Sequence, residues 1–540
     1  MRFQRSVRPM PRRGEAAVAY LGEDNWDDFG LKTLFEAQLI LGSGETVVLG
    51  GVKIFRRGQE AGRTDVPTSF TQLSKDYYSL GQDPLYYEML RVRPDLRADY
   101  LRAIRDVTLL SPREIAELER ESAWRKSLLR YGQAEAALDA ELRTAQHRQR
   151  APGVLSFDFR LTGRADAPTA AFRFDDTREL PGRVNVVIGY NGVGKTKLLA
   201  DLASAASRVR DAELLSEPAG GELGQLTGED TFFGAVIAVS YSAFDSFVRP
   251  PSRPSVEQPG ETNFFGYTYC GLRRLSSSTS AEVTGRGLAA GDNSAEGDAS
   301  AANEAEGQRV AAETLELKGI DELTAEFQHA FGQARDHPGQ RPHLLEALRH
   351  LSAEPSFGRI GINPAELVTL PADRVHSEFA DSSTGHKFVL NIVAQLAANL
   401  RQRSLVLLDE PEAHLHPPLV AALLKAVHHL LQAHDSFAVV ATHSPVVLQE
   451  IPADHVHVLS RFGQETRLSA VDIETFAEGI GAITRSVFHL DSSATDFQGT
   501  LRELASRHAV TEIEGMFRLG LSAQGRAMVV RYRRSAAPRD

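Results

Sequence analysis

A glycine-rich segment carries the pattern of a phosphate-binding loop. Residues Gly189–Thr196 read GYNGVGKT, which fits G-x-x-x-x-G-K-[ST]; the apolar run Val184–Ile188 precedes them and apolar residues at helical spacing follow. Glycines let backbone N–H groups turn toward phosphates, and the following helix N-terminus adds partial positive charge. Lys195 is predicted to reach the β- and γ-phosphates of ATP, and Thr196 to give its hydroxyl to Mg²⁺. The predicted nucleotide-binding residues of the loop are Gly189, Asn191, Gly192, Gly194, Lys195, Thr196 and Lys197.

Two adjacent carboxylates end another apolar run, Leu405–Leu408. Adjacent residues of a strand point to opposite sides, so Asp409 and Glu410 can take different roles. Asp409 suits Mg²⁺, which prefers oxygen ligands, and Glu410 suits polarisation of an attacking water. A solvated turn after a strand is the simpler alternative, but it does not explain why a phosphate loop shares the chain.

A histidine follows the next predicted strand. The segment Pro417–Leu431 has the pattern of an amphipathic helix, and Ser436–Ala441 that of a strand that leads into His443. Beside a γ-phosphate, this imidazole can donate a hydrogen bond or hold the water. The predicted catalytic residues are therefore Lys195, Glu410 and His443, and the predicted metal ligands are Thr196 and Asp409.

Strand and helix patterns alternate from about Val154 onward, which predicts an α/β fold with a P-loop ATPase head. The preceding part contains the hairpin pattern Leu31–Phe55 and a capping box at Ser111 that opens a helix toward Leu129, which predicts an α+β accessory domain. The segment Leu275–Gln308 is rich in Ser, Ala, Gly and Glu and is predicted to be a disordered insertion within a loop of the head. The predicted domains are 1–150 (accessory), 151–490 (ATPase head, with 275–308 inserted) and 491–540 (C-terminal helical extension and basic tail).

The order of these motifs resembles that of ABC-type ATPases. In the place of that family's L-S-G-G-Q signature stands Ser382–Lys387, which reads SSTGHK and keeps a small polar character at Ser383 and Gly385. The run Leu407–Pro417, LLDEPEAHLHP, is similar to the SMC-like and OLD-like branch, including standalone ATPases of bacterial antiphage defence such as Septu-like ones. The resemblance covers roughly 154–490.

The resemblance implies how the motifs act together. In ABC-type ATPases the signature of one subunit closes on the γ-phosphate held by another, so ATP joins two heads and hydrolysis separates them. We therefore expect Ser383 and Gly385 to complete the site in trans in a homodimer or higher oligomer. The defence-type relatives further imply a separate effector protein, a nuclease, as a partner.

Three departures from the family pattern bear on these expectations. No Gln lies within Ser240–Asp245, where the Q-loop is expected, which leaves Ser242 or Asp245 as substitutes. The interval between the phosphate loop and the signature cannot hold a long coiled-coil arm. OLD-like nucleases carry a TOPRIM domain, but here Glu514 is the nearest match to its leading acid and no D-x-D follows, so no intrinsic nuclease is predicted.

The composition limits the remaining function classes. The formal net charge of −11 disfavours nucleic-acid binding by the whole surface, although the basic segments Met1–Arg13 and Arg526–Arg534 leave local binding open. Cys270 is the single cysteine, which fits a reducing cytoplasm, and no run of about 18 apolar residues predicts a membrane span. The alternatives to a defence ATPase are a DNA-repair or chromosome-maintenance head, a nucleotide-gated scaffold without efficient hydrolysis and, last, a transporter subunit.

Overall fold

The fold is taken from a computed structural model of the chain. It describes residues 1–5, 10–11, 14–130, 132–145, 153–161, 167–177, 180–207, 224–228, 233–242, 245–247, 263–264, 266–274, 317–463, 465–488 and 497–536. The predicted disordered insertion, 275–308, lies outside these ranges.

The first 145 residues form a mixed sheet with helices packed beside it. The strands are β1 (Arg2–Arg5), β2 (Ala17–Glu23), β3 (Leu31–Lys32), β4 (Leu34–Leu41), β5 (Thr46–Arg56), β6 (Gly62–Arg63), β7 (Ser69–Phe70) and β8 (Tyr77–Gly81), and the helices are α1 (Pro84–Arg91), α2 (Pro94–Ala103), α3 (Pro112–Leu118) and α4 (Gly132–Ala145). Six strands form one sheet in the order β7-β1-β2-β4-β5-β8, and β3 pairs with β6. The predicted hairpin is confirmed as β4 and β5. Apolar side chains of this sheet and its helices form a core of their own, which extends from Phe3 to Leu138.

The helix predicted from Ser111 to Leu129 is wrong in its length. Its start is correct, because the Ser111 side chain and Glu114 form a capping box. Helix α3 nevertheless ends at Leu118, and a separate π-helical turn spans Trp124–Leu128. The break redirects the chain so that the turn is buried against β5, where the Ser127 carbonyl accepts a hydrogen bond from Lys53 Nζ at 2.8 Å.

The second region contains the motifs. Its strands are β9 (Val154–Arg160), β10 (Thr169–Asp175), β11 (Val184–Ile188), β12 (Gln225–Thr227), β13 (Val236–Ser240), β14 (Asn263–Phe264), β15 (Tyr267–Gly271), β16 (Leu405–Asp409), β17 (Phe437–Thr442), β18 (Val456–Phe462) and β19 (Glu465–Ala470). Its helices are α5 (Lys195–Ala206), α6 (Ile320–Asp336), α7 (Arg341–Ser352), α8 (Pro355–Arg359), α9 (Ala372–Asp381), α10 (Thr384–Asn399), α11 (Pro417–Ala433), α12 (Pro445–Leu448) and α13 (Ile480–Phe488). Short 3-10 turns span Val107–Leu109, Pro364–Thr369 and Ala453–His455.

An eight-stranded sheet lies at the centre of this region, in the order β14-β15-β13-β16-β17-β11-β18-β19. The six inner strands run parallel, and β14 and β19 pair antiparallel at the edges. Strands β11, β13, β16 and β17 are buried along their whole length, which is why their sequences are predominantly apolar. The predicted α/β fold is confirmed.

The central sheet is covered on both faces. The α6, α7, α10 and α11 helices pack on one face, in a core that includes Val186 and Ile188 of β11. Helix α5 and the antiparallel sheet β10-β9-β12 cover the other face, which includes Val187. The alternation along β11 therefore places neighbouring side chains in different cores and fixes the direction in which the strand delivers the phosphate loop.

One predicted strand, Phe264–Leu272, is wrong as a single element. The structure contains two strands there, β14 and β15, which pair antiparallel. Gly266, between them, has a φ of 84°, and a Cβ at this position would lie 2.6 Å from the Gln133 side chain. The tight reversal therefore depends on glycine.

The C-terminal part, described over 497–536, is helical. Helices α14 (Phe497–Arg507), α15 (Val510–Met516) and α16 (Ala523–Ala536) share a small core centred on Leu501, Ile513 and Val529. The predicted basic tail lies within α16. In the part of the chain that the structure describes, every helix is too short or too polar to cross a membrane.

Candidate functional site

The predicted site residues meet at the carboxyl ends of parallel strands. In register, Ile188 of β11 lies beside Thr442 of β17, and Asp409 of β16 lies between Ala441 of β17 and Ser240 of β13. This edge is where ligands bind in open α/β sheets. Three motifs that are far apart in the sequence therefore converge there.

The conformation of the loop depends on its glycines. Gly192 and Gly194 have φ values of 81° and 103°, which side chains other than glycine rarely adopt. A Cβ on Gly189 would lie 2.2 Å from the Leu459 carbonyl of β18, so a larger residue does not fit there. The chain turns through Asn191, which is exposed, and enters α5 at Lys195.

Lys195 is buried within this loop. Its Nζ donates hydrogen bonds to the carbonyls of Gly189 and Tyr190, both at 3.0 Å. Burial lowers the pKa of Lys195, while Glu410, Asp409 and Glu412 act to raise it. A phosphate that displaces these two carbonyls would exchange dipoles for a full negative charge. By contrast, Lys197 is exposed and its Nζ lies 2.9 Å from Asp201, one helical turn ahead.

Thr196 and Asp409 form a pair of oxygen donors. The Thr196 hydroxyl donates to Asp409 Oδ1 at 3.1 Å. Burial raises the pKa of Asp409 to about 7; Glu410 adds to the rise, and the Thr196 hydroxyl opposes it. A carboxyl group with so little positive charge around it fits a divalent cation, because the cation would supply the missing countercharge.

Glu410 and His443 lie together beyond the ends of β16 and β17. The backbone of Glu410 is left-handed, with φ 47°, and its N–H donates to the Ala441 carbonyl at 2.8 Å. His443 Nδ1 lies 3.3 Å from Glu410 Oε1. The strained backbone turns the Glu410 side chain out of the strand direction and brings its carboxylate into direct contact with the imidazole.

Sequence reasoning missed a third carboxylate, Glu412. Its Oε1 accepts hydrogen bonds from the Thr442 hydroxyl and from the His443 backbone N–H at 3.1 Å, and lies 3.4 Å from His443 Nδ1. Glu412 Oε2 is buried and has no hydrogen-bond partner among the described residues. The acid follows Asp409-Glu410 by only two residues, which was the available signal. Glu412 therefore holds the end of β17 and aims His443.

The signature segment lies at the start of α10. This helix begins at Thr384, with Ser383 at its N-cap position. Ser383 is exposed, and a Cβ on Gly385 would lie 3.0 Å from the His414 carbonyl. The small residue thus allows the helix start to approach the turn that follows Glu410 closely.

One residue of the expected Q-loop position, Asp245, already has partners within the fold. The Asp245 carboxylate is buried, and it accepts hydrogen bonds from the Tyr269 hydroxyl at 2.6 Å and from Arg273 at 3.1 Å. These contacts tie the end of β13 to β15. Of the two predicted substitutes for the Gln, Ser242 is the one that this ion pair does not occupy.

The parallel sheet, the glycine loop and the strand-end carboxylates together define an α/β nucleotide-binding head of the P-loop ATPase class. A family model described as "AAA domain, putative AbiEii toxin, Type IV TA system" matches residues 333–449, a segment that contains the signature position, Asp409, Glu410 and His443. Protein ea59 of Escherichia phage lambda is 28% identical over 526 residues, which cover 91% of this chain and 89% of that protein.

Two solved structures illustrate the likeness in fold. The match to RNase-L Inhibitor has 15% identity and a TM-score of 0.26, and covers 60% of this chain but only 41% of that one. The match to the SMC head domain from Thermotoga maritima has 13% identity and a TM-score of 0.22, and covers 59% of this chain and 100% of that one. Likeness at this level carries no functional weight.

Proposed function

We propose that the chain is an ATP-binding and ATP-hydrolysing head that dimerises around ATP and, in the cytoplasm, controls a separate effector nuclease in bacterial phage defence. One observation carries the catalytic part: Lys195, Thr196 and Asp409 converge at one edge of the sheet, with Glu410 and His443 beside them.

Each side chain has a place in phosphoryl transfer. Lys195 offsets the charge of the β- and γ-phosphates, and Thr196 with Asp409 would hold Mg²⁺, which neutralises phosphate charge when bound. Glu410 orients the attacking water. His443, held by Glu410 and Glu412, donates toward the γ-phosphate. Catalysis then depends on positioning and charge stabilisation, which a preorganised strand edge provides.

The dimer is supported by the location of the signature. Ser383 is exposed at the start of α10, and its side chain makes no capping hydrogen bond to its own helix. The exposed Ser383 hydroxyl, whose Oγ lies 2.7 Å from His386 Nδ1 of the same helix, supports a contact with a phosphate held by a second copy.

The effector part of the proposal draws on the comparisons. The matched family description names a putative toxin of a type IV toxin–antitoxin system, and the relative Protein ea59 comes from a phage. A toxin–antitoxin description and a phage source support the proposal of a role in the conflict between phage and bacterium. Because these are properties of other proteins, co-purification of the native protein with its partner tests this part directly.

The proposed dimer, in which ATP lies between two heads, is called the sandwich below. It is tested with Glu410→Gln, which keeps the shape of the side chain but removes its charge. We expect this variant to accumulate as a dimer with ATP and Mg²⁺ in analytical ultracentrifugation. Glu465→Gln, on the exposed strand β19, is the matched control, and Lys195→Ala added to Glu410→Gln should abolish the dimer. A Glu410→Gln protein that stays monomeric at saturating ATP would disprove the sandwich.

A nucleotide-gated scaffold is the second candidate. This function is favoured because Asp245 is already bonded to Arg273 and Tyr269. The Q-loop position therefore has no free carboxylate or carboxamide among the described residues. Phosphate release by the wild type, measured against Lys195→Ala, separates the two functions. Equal rates together with ATP-dependent dimers would support the scaffold.

A further inference from the structure

A buried line of hydrogen bonds runs behind the signature serine. Glu354 accepts hydrogen bonds from the Ser356 backbone N–H at 2.8 Å and from the Ser356 hydroxyl. Ser356 Oγ lies 2.8 Å from His386 Nε2, and His386 Nδ1 lies 2.7 Å from Ser383 Oγ. Two side chains without a role in the proposed site, Ser356 and His386, thus connect the Glu354 carboxylate to the residue expected to meet the γ-phosphate.

The line is enclosed at its inner end and open at its outer end. Glu354 and His386 are 7% and 6% exposed, whereas Ser383 is exposed. The Phe357 ring packs edge-on against the His386 imidazole, with 4.3 Å between centroids, and fixes the ring plane. The imidazole therefore has little freedom to turn away from Ser356 or Ser383.

The donor and acceptor properties of these groups set the direction of every bond. An ionised carboxylate only accepts, so Ser356 must donate its one proton to Glu354. The Ser356 oxygen then accepts, which requires N–H at His386 Nε2. A neutral imidazole with that proton has a lone pair at Nδ1, so the Ser383 hydroxyl must donate inward. In this state Ser383 has no proton to give to a phosphate.

We propose, on the basis of the sandwich function above, that closure of the signature on the γ-phosphate is coupled to the uptake of one proton by His386. The proton comes from solvent and binds Nδ1. His386 then donates from both nitrogens, and the Ser383 hydroxyl accepts from Nδ1 and turns its own proton to a phosphate oxygen. Glu354, Ser356 and His386 are thus positioning residues for Ser383.

The charges around His386 favour this switch. Burial lowers its pKa, Glu354 on the α8 side raises it, and His416, at the N-cap of α11, lowers it. The free protein therefore keeps the imidazole neutral. A γ-phosphate next to Ser383 adds negative charge, which favours the imidazolium form.

The test is the pH dependence of ATP-driven dimerisation in the Glu410→Gln background, by analytical ultracentrifugation between about pH 8 and pH 6. Each proton taken up strengthens association by up to about tenfold per pH unit decrease. In Glu410→Gln we expect the association constant to show this additional pH dependence once for each nucleotide site that the dimer forms. Adding His386→Gln should remove it. Ser356→Ala should also reduce it, because His386 then no longer needs a proton at Nε2. His416→Gln is the matched control and should keep the slope.

The outcomes separate the two proposals. The proton uptake through Glu354, Ser356 and His386 is called the relay here. The same pH dependence of dimerisation with and without His386→Gln would overturn the relay while leaving the sandwich intact. Loss of the slope with His416→Gln instead would assign the proton elsewhere and also overturn it. Absence of an ATP-dependent dimer at every pH in all variants would overturn the sandwich, and the relay with it.

Discussion

The two large sheets differ in how completely their buried carboxylates are paired. In the N-terminal region both Asp28 oxygens are bonded twice, by Trp26 and Arg130 on one side and by Ser127 and Lys53 on the other, at 2.6–2.8 Å. Burial acts to raise the pKa of Asp28, but Lys53, Ser127 and Arg130 together lower it. At the edge of the central sheet, burial raises the pKa of Asp409, and one buried oxygen of Glu412 has no hydrogen-bond partner within the described part of the chain.

This difference separates charge that stabilises a fold from charge that awaits a ligand. A fully paired buried carboxylate supports the structure, and its loss leaves its partners unsatisfied. An incompletely paired one costs stability in the free protein and is tolerated where a ligand completes it. Substitutions in the first region should therefore reduce stability, and those in the second should reduce activity.

Lys195→Ala is expected to have the largest effect. Loss of the cation beside the phosphates should lower ATP turnover by about 10³-fold, since removing a preorganised charge from a phosphoryl-transfer site has effects of this order. Phosphate release is the measurement, and Lys425→Ala on the exposed side of α11 is the control. Turnover within tenfold of the wild type would remove Lys195 from the site.

Asp28→Asn is expected to destabilise the N-terminal region by about 3 kcal/mol, because Lys53 and Arg130 lose their buried counter-charge. The two tryptophans of the chain, Trp26 and Trp124, both lie in this region, so the urea midpoint of their fluorescence reports on it alone. Asp99→Asn, in an exposed pair with Arg102, should change the unfolding free energy by about 0.5 kcal/mol or less. An unchanged midpoint with Asp28→Asn would contradict the contrast drawn between the sheets.

The sequence was sufficient to predict which candidate residues lie close together where each of them directly follows a strand. Gly189–Thr196 and Asp409-Glu410 each follow an apolar run, and parallel strands bring such ends together without further information. The relay from Glu354 to His386 could not be found this way, because it joins segments whose proximity depends on how α8 packs against α10. The end of α3 at Leu118 was missed for the same kind of reason, since burial of the Trp124–Leu128 turn overrides local helix preference.

A buried histidine makes the stability of the protein depend on pH. Burial lowers the pKa of His434 to about 4, with His343, Arg401, His429 and His337 adding to the shift. Its folded pKa lies below the ordinary value near 6.5, so its contribution to stability is complete above about pH 6.5 and is lost as the pH falls toward 4. We expect a loss of about 2–3 kcal/mol in the unfolding free energy over that range.

The measurement is urea unfolding followed by far-UV circular dichroism at several pH values. His434→Asn should flatten the acid side of the stability profile, whereas His376→Gln, on the exposed face of α9, should leave its shape unchanged. An acid limb that is identical in His434→Asn and wild type would show that other groups control it.

Glu412→Gln has the smallest expected effect on turnover, and its effect on melting temperature distinguishes the two kinds of buried carboxylate. Gln keeps the acceptor for the Thr442 hydroxyl and the His443 N–H but removes the charge near the imidazole, so turnover should fall by about tenfold. Melting temperature should stay equal or rise, because burying a neutral amide costs less than burying a partly paired carboxylate. This is the opposite sign to Asp28→Asn. A Glu412→Gln protein that melts several degrees lower with normal turnover would place Glu412 with Asp28, as a residue that serves the fold.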